Sequence, residues 1–73
     1  MQVKTFFNTG LPTTLLLRRK ALGLTQSEVA KKLGLSTMGL SHLETGSREL
    51  KLTMLDKWIK VLDLELYIEV KPK

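Results

Sequence analysis

QSEVAKKLGLSTMGLSHL, residues Gln26 to Leu43, has the pattern of two short helices joined by a tight turn. Ala30 lies mid-way along the first of the pair, where a small side chain lets a second helix come close. Gly34 follows four residues later, where the chain must turn sharply, and glycine enters the left-handed region without a steric penalty. Leu40 and Leu43 then recur at helical spacing and give the second helix an apolar face. Thr25 and Glu28 have the T-x-x-E spacing of a capping box, and Ser36 is a good N-cap for the following helix. Many proteins use a helix pair of this kind to place a short helix in the DNA major groove.

Outward from this pair, the chain divides into three segments. Residues 1–10, MQVKTFFNTG, form an arm in which Val3, Thr5 and Phe7 alternate weakly, as a short strand would; Asn8, Gly10 and Pro12 punctuate its end. Residues 11–63 hold four helices: about 11–22, with Leu11, Leu15 and Leu22 on one face and Gly23 as its stop; 26–33; 37–44, ended by Gly46; and 52–62, with Leu55, Trp58, Ile59 and Leu62 inward. Pro12 suits the first turn of its helix. Arg18, Arg19 and Lys20 gather near that helix's carboxyl end, where cations complement the dipole. Residues 64–73 change period: in LELYIEV, Leu64, Leu66, Ile68 and Val70 fall on one side and Glu65, Tyr67 and Glu69 on the other. Strict alternation argues for a half-buried strand. A lone strand leaves its backbone unpaired, so it needs either the amino-terminal arm or the same strand of a second chain; the second chain is favoured, because the arm is short and weakly patterned.

Composition bounds the rest. Seventy-three residues make one domain, close to the lower limit for a self-sufficient core. The 42% hydrophobic content suits a globule, built mostly on leucine because aromatics are few. Twelve Lys and Arg against seven Asp and Glu leave a net charge of +5. A polyanionic partner accounts for that charge, and so does an ordinary solvated basic surface. With no cysteine there is no disulfide framework or thiolate metal site. The longest apolar run, Leu15-Leu16-Leu17, cannot span a membrane, and the amino terminus lacks the features of a signal peptide, so a cytoplasmic protein is expected.

Residues 11–62 resemble the lambda-repressor-like helix-turn-helix domain, the Cro/C1 or Xre type, because LGLTQ, the Ala30–Gly34–Leu40–Leu43 pattern and LETG occur together and in order. The ending LDLELYIEV further resembles HipB-type antitoxins, whose terminal strands pair across a dimer. The resemblance implies a mainly α fold of four to five helices with a carboxy-terminal β-strand paired across a homodimer. It also implies binding to double-stranded DNA at a palindromic operator.

Carried onto this chain, the family's base-reading positions are Ser36, Thr37, Met38, Ser41 and His42. Thr37 and Ser41 can exchange hydrogen bonds with base edges, Met38 can press on a thymine methyl, and His42 can reach a base or a phosphate. Gln26 occupies the family's phosphate-binding place, while Thr45, Ser47, Arg48 and Lys51 belong to the stretch that flanks the DNA backbone. The bland alternative for each is a solvent-exposed surface residue. This face departs from the family by lacking the Gln or Arg that reads bases bidentately, which shifts weight toward recognition of DNA shape. Gly39, inside the helix at about 1 kcal/mol relative to alanine, either permits close approach to the sugar-phosphate backbone or is simply tolerated. The resemblance pairs Arg19 with Glu44 as a structural salt bridge, since either charge would be costly alone on an inner face.

His42 is the sole histidine, and no ligand cluster, phosphate loop or nucleophile–base–acid set is present, so no metal, no cofactor and no enzyme activity is expected. The expected function is a sequence-specific repressor that serves as the antitoxin of a toxin–antitoxin operon, autoregulates and binds a HipA-like kinase toxin. The alternatives are a phage-type or stand-alone regulator, or a protein-interaction module in which DNA binding is incidental.

Overall fold

A computed structural model describes residues 2–73 of the chain. Its elements are α1 (Val3–Thr5), a π-helical turn (Phe6–Gly10), α2 (Leu11–Ala21), α3 (Gln26–Leu33), α4 (Thr37–Thr45) and α5 (Leu52–Val61). The four helices expected from the sequence are α2 to α5.

The amino-terminal segment differs from the strand-like arm expected of it. α1, the π turn and α2 follow one another without a break. Pro12 explains the wide turn: it has no N–H, and its ring would collide with the carbonyl four residues back, that of Asn8. The chain widens just before it, so that the Leu11 N–H reaches the Phe6 carbonyl five residues back. The Thr13 and Thr14 hydroxyls donate to the carbonyls of Thr9 and Gly10 at 2.8 and 3.1 Å. Asn8 and Gly10 lie within the π turn, and Pro12 follows it in the first turn of α2.

The core is continuous. α2 contributes Leu11 and Leu15, α3 Val29, Ala30 and Leu33, α4 Leu40 and Leu43, and α5 Leu55 and Trp58, with Leu62 behind them. Leu22 does not join this set. It lies past the end of α2 and is 41% exposed, while the buried stripe of that helix runs Leu11, Leu15, Arg19. Leu50, in the loop before α5, is buried and pins that loop to the core.

The helices stop by one shared device. Gly34 follows α3 at φ +73, and the Leu35 N–H reaches back to the Ala30 carbonyl at 2.9 Å. Gly46 follows α4 at φ +78, with the Ser47 N–H on the His42 carbonyl at 2.9 Å. These are Schellman caps, and they need a left-handed residue. After α5 that residue is Asp63, at φ +55, where an L side chain is disfavoured. Arg18 supports the strained turn from α2: its Nε donates to the Leu62 carbonyl at 3.1 Å and its Nη2 to that of Asp63 at 3.5 Å. The cation read as serving its own helix dipole thus caps the end of another helix.

Gly46 has a second constraint. A Cβ there would stand 2.7 Å from the Asn8 carbonyl oxygen, so the amino-terminal turn packs directly against the end of α4.

No strand forms over Leu64–Val70: residues 65–73 have no regular secondary structure. The amino-terminal segment is helical, and among the described residues no extended edge is offered to the ladder of a terminal strand. The arm is thereby removed as its partner.

Candidate nucleic-acid interface

The site is built on a buried polar network. Glu44, on the inner side of α4, has a side chain with no solvent exposure. Its Oε2 accepts from Arg19 Nε at 2.7 Å and its Oε1 from Arg19 Nη2 at 3.3 Å. Gln26 Nε2 donates to the same Oε1 at 2.8 Å, and Arg19 Nη1 donates to the Leu24 carbonyl at 2.9 Å. One carboxylate therefore ties α2, the α2–α3 connection and the start of α3 to α4. A bidentate Arg–carboxylate pair with its remaining donors satisfied is the geometry in which burial of charge is tolerated.

Gln26 is half-buried, with one amide N–H committed to Glu44. The second N–H of that amide remains for an outside acceptor. The start of α3 is fixed by the Thr25–Glu28 box: the Glu28 N–H donates to Thr25 Oγ1 at 3.1 Å, and the Thr25 N–H donates to Glu28 Oε1 at 3.1 Å. The bond from the Thr25 backbone, followed by that from its hydroxyl, holds the Glu28 carboxyl below its ordinary pKa.

With its inner side locked, α4 turns the opposite side to solvent. Ser36, Thr37, Met38, His42 and Thr45 are exposed and Ser41 is half-buried; Met38 is 64% exposed. Ser36 Oγ caps the helix by accepting the Gly39 N–H at 3.0 Å. The Thr37 and Met38 N–H groups, earlier in the first turn, have no intrahelical acceptor and point out of the amino end. Thr45 is already engaged: its hydroxyl donates to the Ser41 carbonyl at 3.0 Å and lies 3.0 Å from Ser47 Oγ.

Arg48 and Lys51 are exposed on the loop that Leu50 anchors. Arg48 comes unexpectedly near the first turn of α4: its Nη1 is 3.4 Å from where a Cβ on Gly39 would stand. Leu50 and this Gly39–Arg48 approach escaped the sequence reading. Loop 47–51 carries no periodicity, and neither feature has a local signal beyond the glycine itself.

The alternating residues of the carboxy-terminal segment are spread out. Leu64 is half-buried against the core. Leu66 and Ile68 line an apolar groove of about 310 Å³ with Phe6, Phe7, Leu11 and Leu52, and Val70 is 89% exposed. Among the described residues no group of His, Cys, Asp or Glu could hold a metal ion. Among the described residues no helix is long and apolar enough to cross a membrane.

The HTH_3 family model, described as helix-turn-helix, matches residues 15–68. The chain belongs to the lambda-repressor-like helix-turn-helix family. This helix-turn-helix protein is therefore a DNA-binding regulator. Among solved structures it is similar to a chain of the "Structure of HipA-HipB-O2-O3 complex", with 31% sequence identity and a TM-score of 0.75 over 89% of this chain and 92% of that one. That likeness agrees with the resemblance of the LDLELYIEV ending to HipB-type antitoxins. A comparison with curated proteins finds no match.

Proposed function

We propose that this helix-turn-helix regulator is a sequence-specific repressor that acts as a homodimer on a palindromic operator. One observation carries the reading. α4 is fixed from behind by the Arg19–Glu44–Gln26 network, while Thr37, Met38, Ser41 and His42 stand free or half-free on its outer side. A rigid helix with an outward polar face on a basic chain is suited to the major groove. Gln26, Arg48 and Lys51 supply backbone contacts beside it, and Thr45 and Ser47 shape the loop between them. Selection of duplexes from a random pool by the purified protein tests the proposal. A palindromic consensus bound in a salt-dependent way supports it, and uniform binding to all sequences sinks it.

The setting we infer is an antitoxin that represses its own operon and binds a HipA-like kinase toxin. Likeness over nearly the whole of both chains to a component of the HipA-HipB-O2-O3 complex supports this over a phage-type or stand-alone regulator. Co-purification with a co-expressed HipA-like kinase is the test, and failure to form any complex favours the stand-alone regulator.

The carboxy-terminal segment supports the homodimer. Leu66, Ile68 and Val70 alternate, and no strand edge is on offer among the described residues. Two copies paired antiparallel across a two-fold axis would satisfy both backbones and cover the apolar groove. The ribbon would help hold two copies of α4 one DNA turn apart, about 34 Å.

A further inference from the structure

The two helices of the helix-turn-helix begin alike and then diverge at one position. Thr25 and Glu28 are the N-cap and third residue of α3, and the Glu28 carboxylate closes the capping box. Ser36 and Gly39 hold the same places on α4, and Gly39 donates its N–H to Ser36 Oγ at 3.0 Å. Gly39 has no side chain to close a second box. The room such a side chain would fill is bordered by Ser36 Oγ and Arg48 Nη1, which lie 3.2 and 3.4 Å from a Cβ built on Gly39.

This arrangement is unfavourable in two ways when the protein is alone. Glycine is among the poorest helix formers, and a glutamate here would both cap the helix and pair with the arginine. The amino end of a helix is its positive end, so it repels a guanidinium. Arg48 also makes no ion pair among the described residues. Such a cation is stabilised once an anion faces both it and the helix start.

We propose that Gly39 is a positioning residue for Arg48. Its missing side chain seats the guanidinium against the first turn of the reading helix and keeps it unpaired for a phosphate of bound DNA. Arg48 then acts together with α4, rather than as one more exposed charge of the chain. The inference rests on the DNA-binding reading given above.

The test uses the full-length protein and a duplex that the wild-type chain selects from a random pool, titrated across about 50–200 mM salt. Gly39→Gln fills the seat without adding charge and restores a capping-box partner. We expect it to keep or raise thermal stability, read from Trp58 emission, while weakening duplex binding about tenfold, the scale of one charge-assisted contact. The salt slope should fall by about 0.9. Arg48→Ala should do the same, and the double variant should bind no more weakly than Arg48→Ala alone. Gly39→Glu should bind more weakly than Gly39→Gln. If Gly39→Gln fails to fold, Gly39→Met makes the same test with another uncharged side chain that reaches into the seat. Wild-type affinity and slope in the Gly39→Gln protein would overturn the proposal while leaving DNA binding intact. So would additive losses in the double variant, which would mean that the new side chain obstructs DNA by itself. A wild-type chain that binds no duplex would overturn the DNA-binding reading, and this proposal with it.

Discussion

Arg19 and Glu44, 25 residues apart in the chain, meet through two bonds of 2.7 and 3.3 Å inside the domain. The pair is the joint between α2 and α4, and Gln26 completes it from α3. Removal of one partner strands the other charge, which should cost about 3–5 kcal/mol. Replacement of both by apolar residues of similar size should be milder than either single change. Urea unfolding followed by Trp58 emission, set out as a double-mutant cycle, checks this; zero coupling would reject the joint.

The outer side of α4 should carry discrimination rather than stability. Met38→Ala, Thr37→Ala and Ser41→Ala should each narrow the preference for operator over unrelated DNA, by about 1–3 kcal/mol where a good base contact is lost. Competition binding against base-substituted duplexes measures it. Three variants with unchanged preference would move the reading face elsewhere.

Gly46 should tolerate substitution far less than Gly34. Both are left-handed, at φ +78 and +73, and alanine at either is disfavoured by about 1–2 kcal/mol. Only at Gly46 would the Cβ meet backbone, 2.7 Å from the Asn8 carbonyl, whereas nothing lies within 4 Å at Gly34. Thermal melts should therefore show a larger drop for Gly46→Ala than for Gly34→Ala, and equal drops would argue against tight packing of the amino-terminal turn.

Removal of residues 66–73 should weaken dimerisation and operator binding more than folding. The cut spares Leu64, whose N–H closes the cap of α5 on the Ile59 carbonyl at 2.9 Å. It also spares the Arg18 bonds to Leu62 and Asp63. Sedimentation gives the mass and circular dichroism the fold. A truncated chain that remains dimeric at low micromolar concentration would show that the two copies meet elsewhere.

Glu28 makes the start of α3 sensitive to acid. Its carboxyl titrates below its ordinary value because the Thr25 backbone N–H, then the Thr25 hydroxyl, favours the ionised form. A depressed folded pKa contributes stability that is present above the unfolded value, about 4.3 for glutamate, and is lost as pH falls through the folded value. Glu28→Gln should therefore flatten the loss of stability with pH below about 4.3. Melting temperatures across that range decide it: an unchanged pH profile would mean that the box is not formed in solution.

The recognition unit was legible because its signals are local. The Thr25–Glu28 box, the Ser36 cap and the turns at Gly34 and Gly46 involve partners within five residues, and Leu40, Leu43, Leu55 and Trp58 follow helical spacing. Arg19 and Glu44 could be matched as a pair because the family resemblance supplied what spacing alone could not. Local signals failed at the amino terminus. Asn8, Gly10 and Pro12 predict a break, yet the chain passes through them as a π-helical turn whose Asn8 carbonyl lies against Gly46.

What tertiary structure alone decided are the contacts whose two halves lie far apart in the chain. Arg18 was free, on sequence grounds, to serve its own helix; the fold carries the carboxyl end of α5 to it from 44 residues away. Leu50 belongs to no periodic pattern, and it is buried because its loop must close over the core. Arg48 is one of twelve Lys and Arg on this chain, and the bare first turn of α4 singles it out. Capping and periodicity are written within a turn or two of backbone. The partner of a side chain that crosses the fold is set only when the helices have packed.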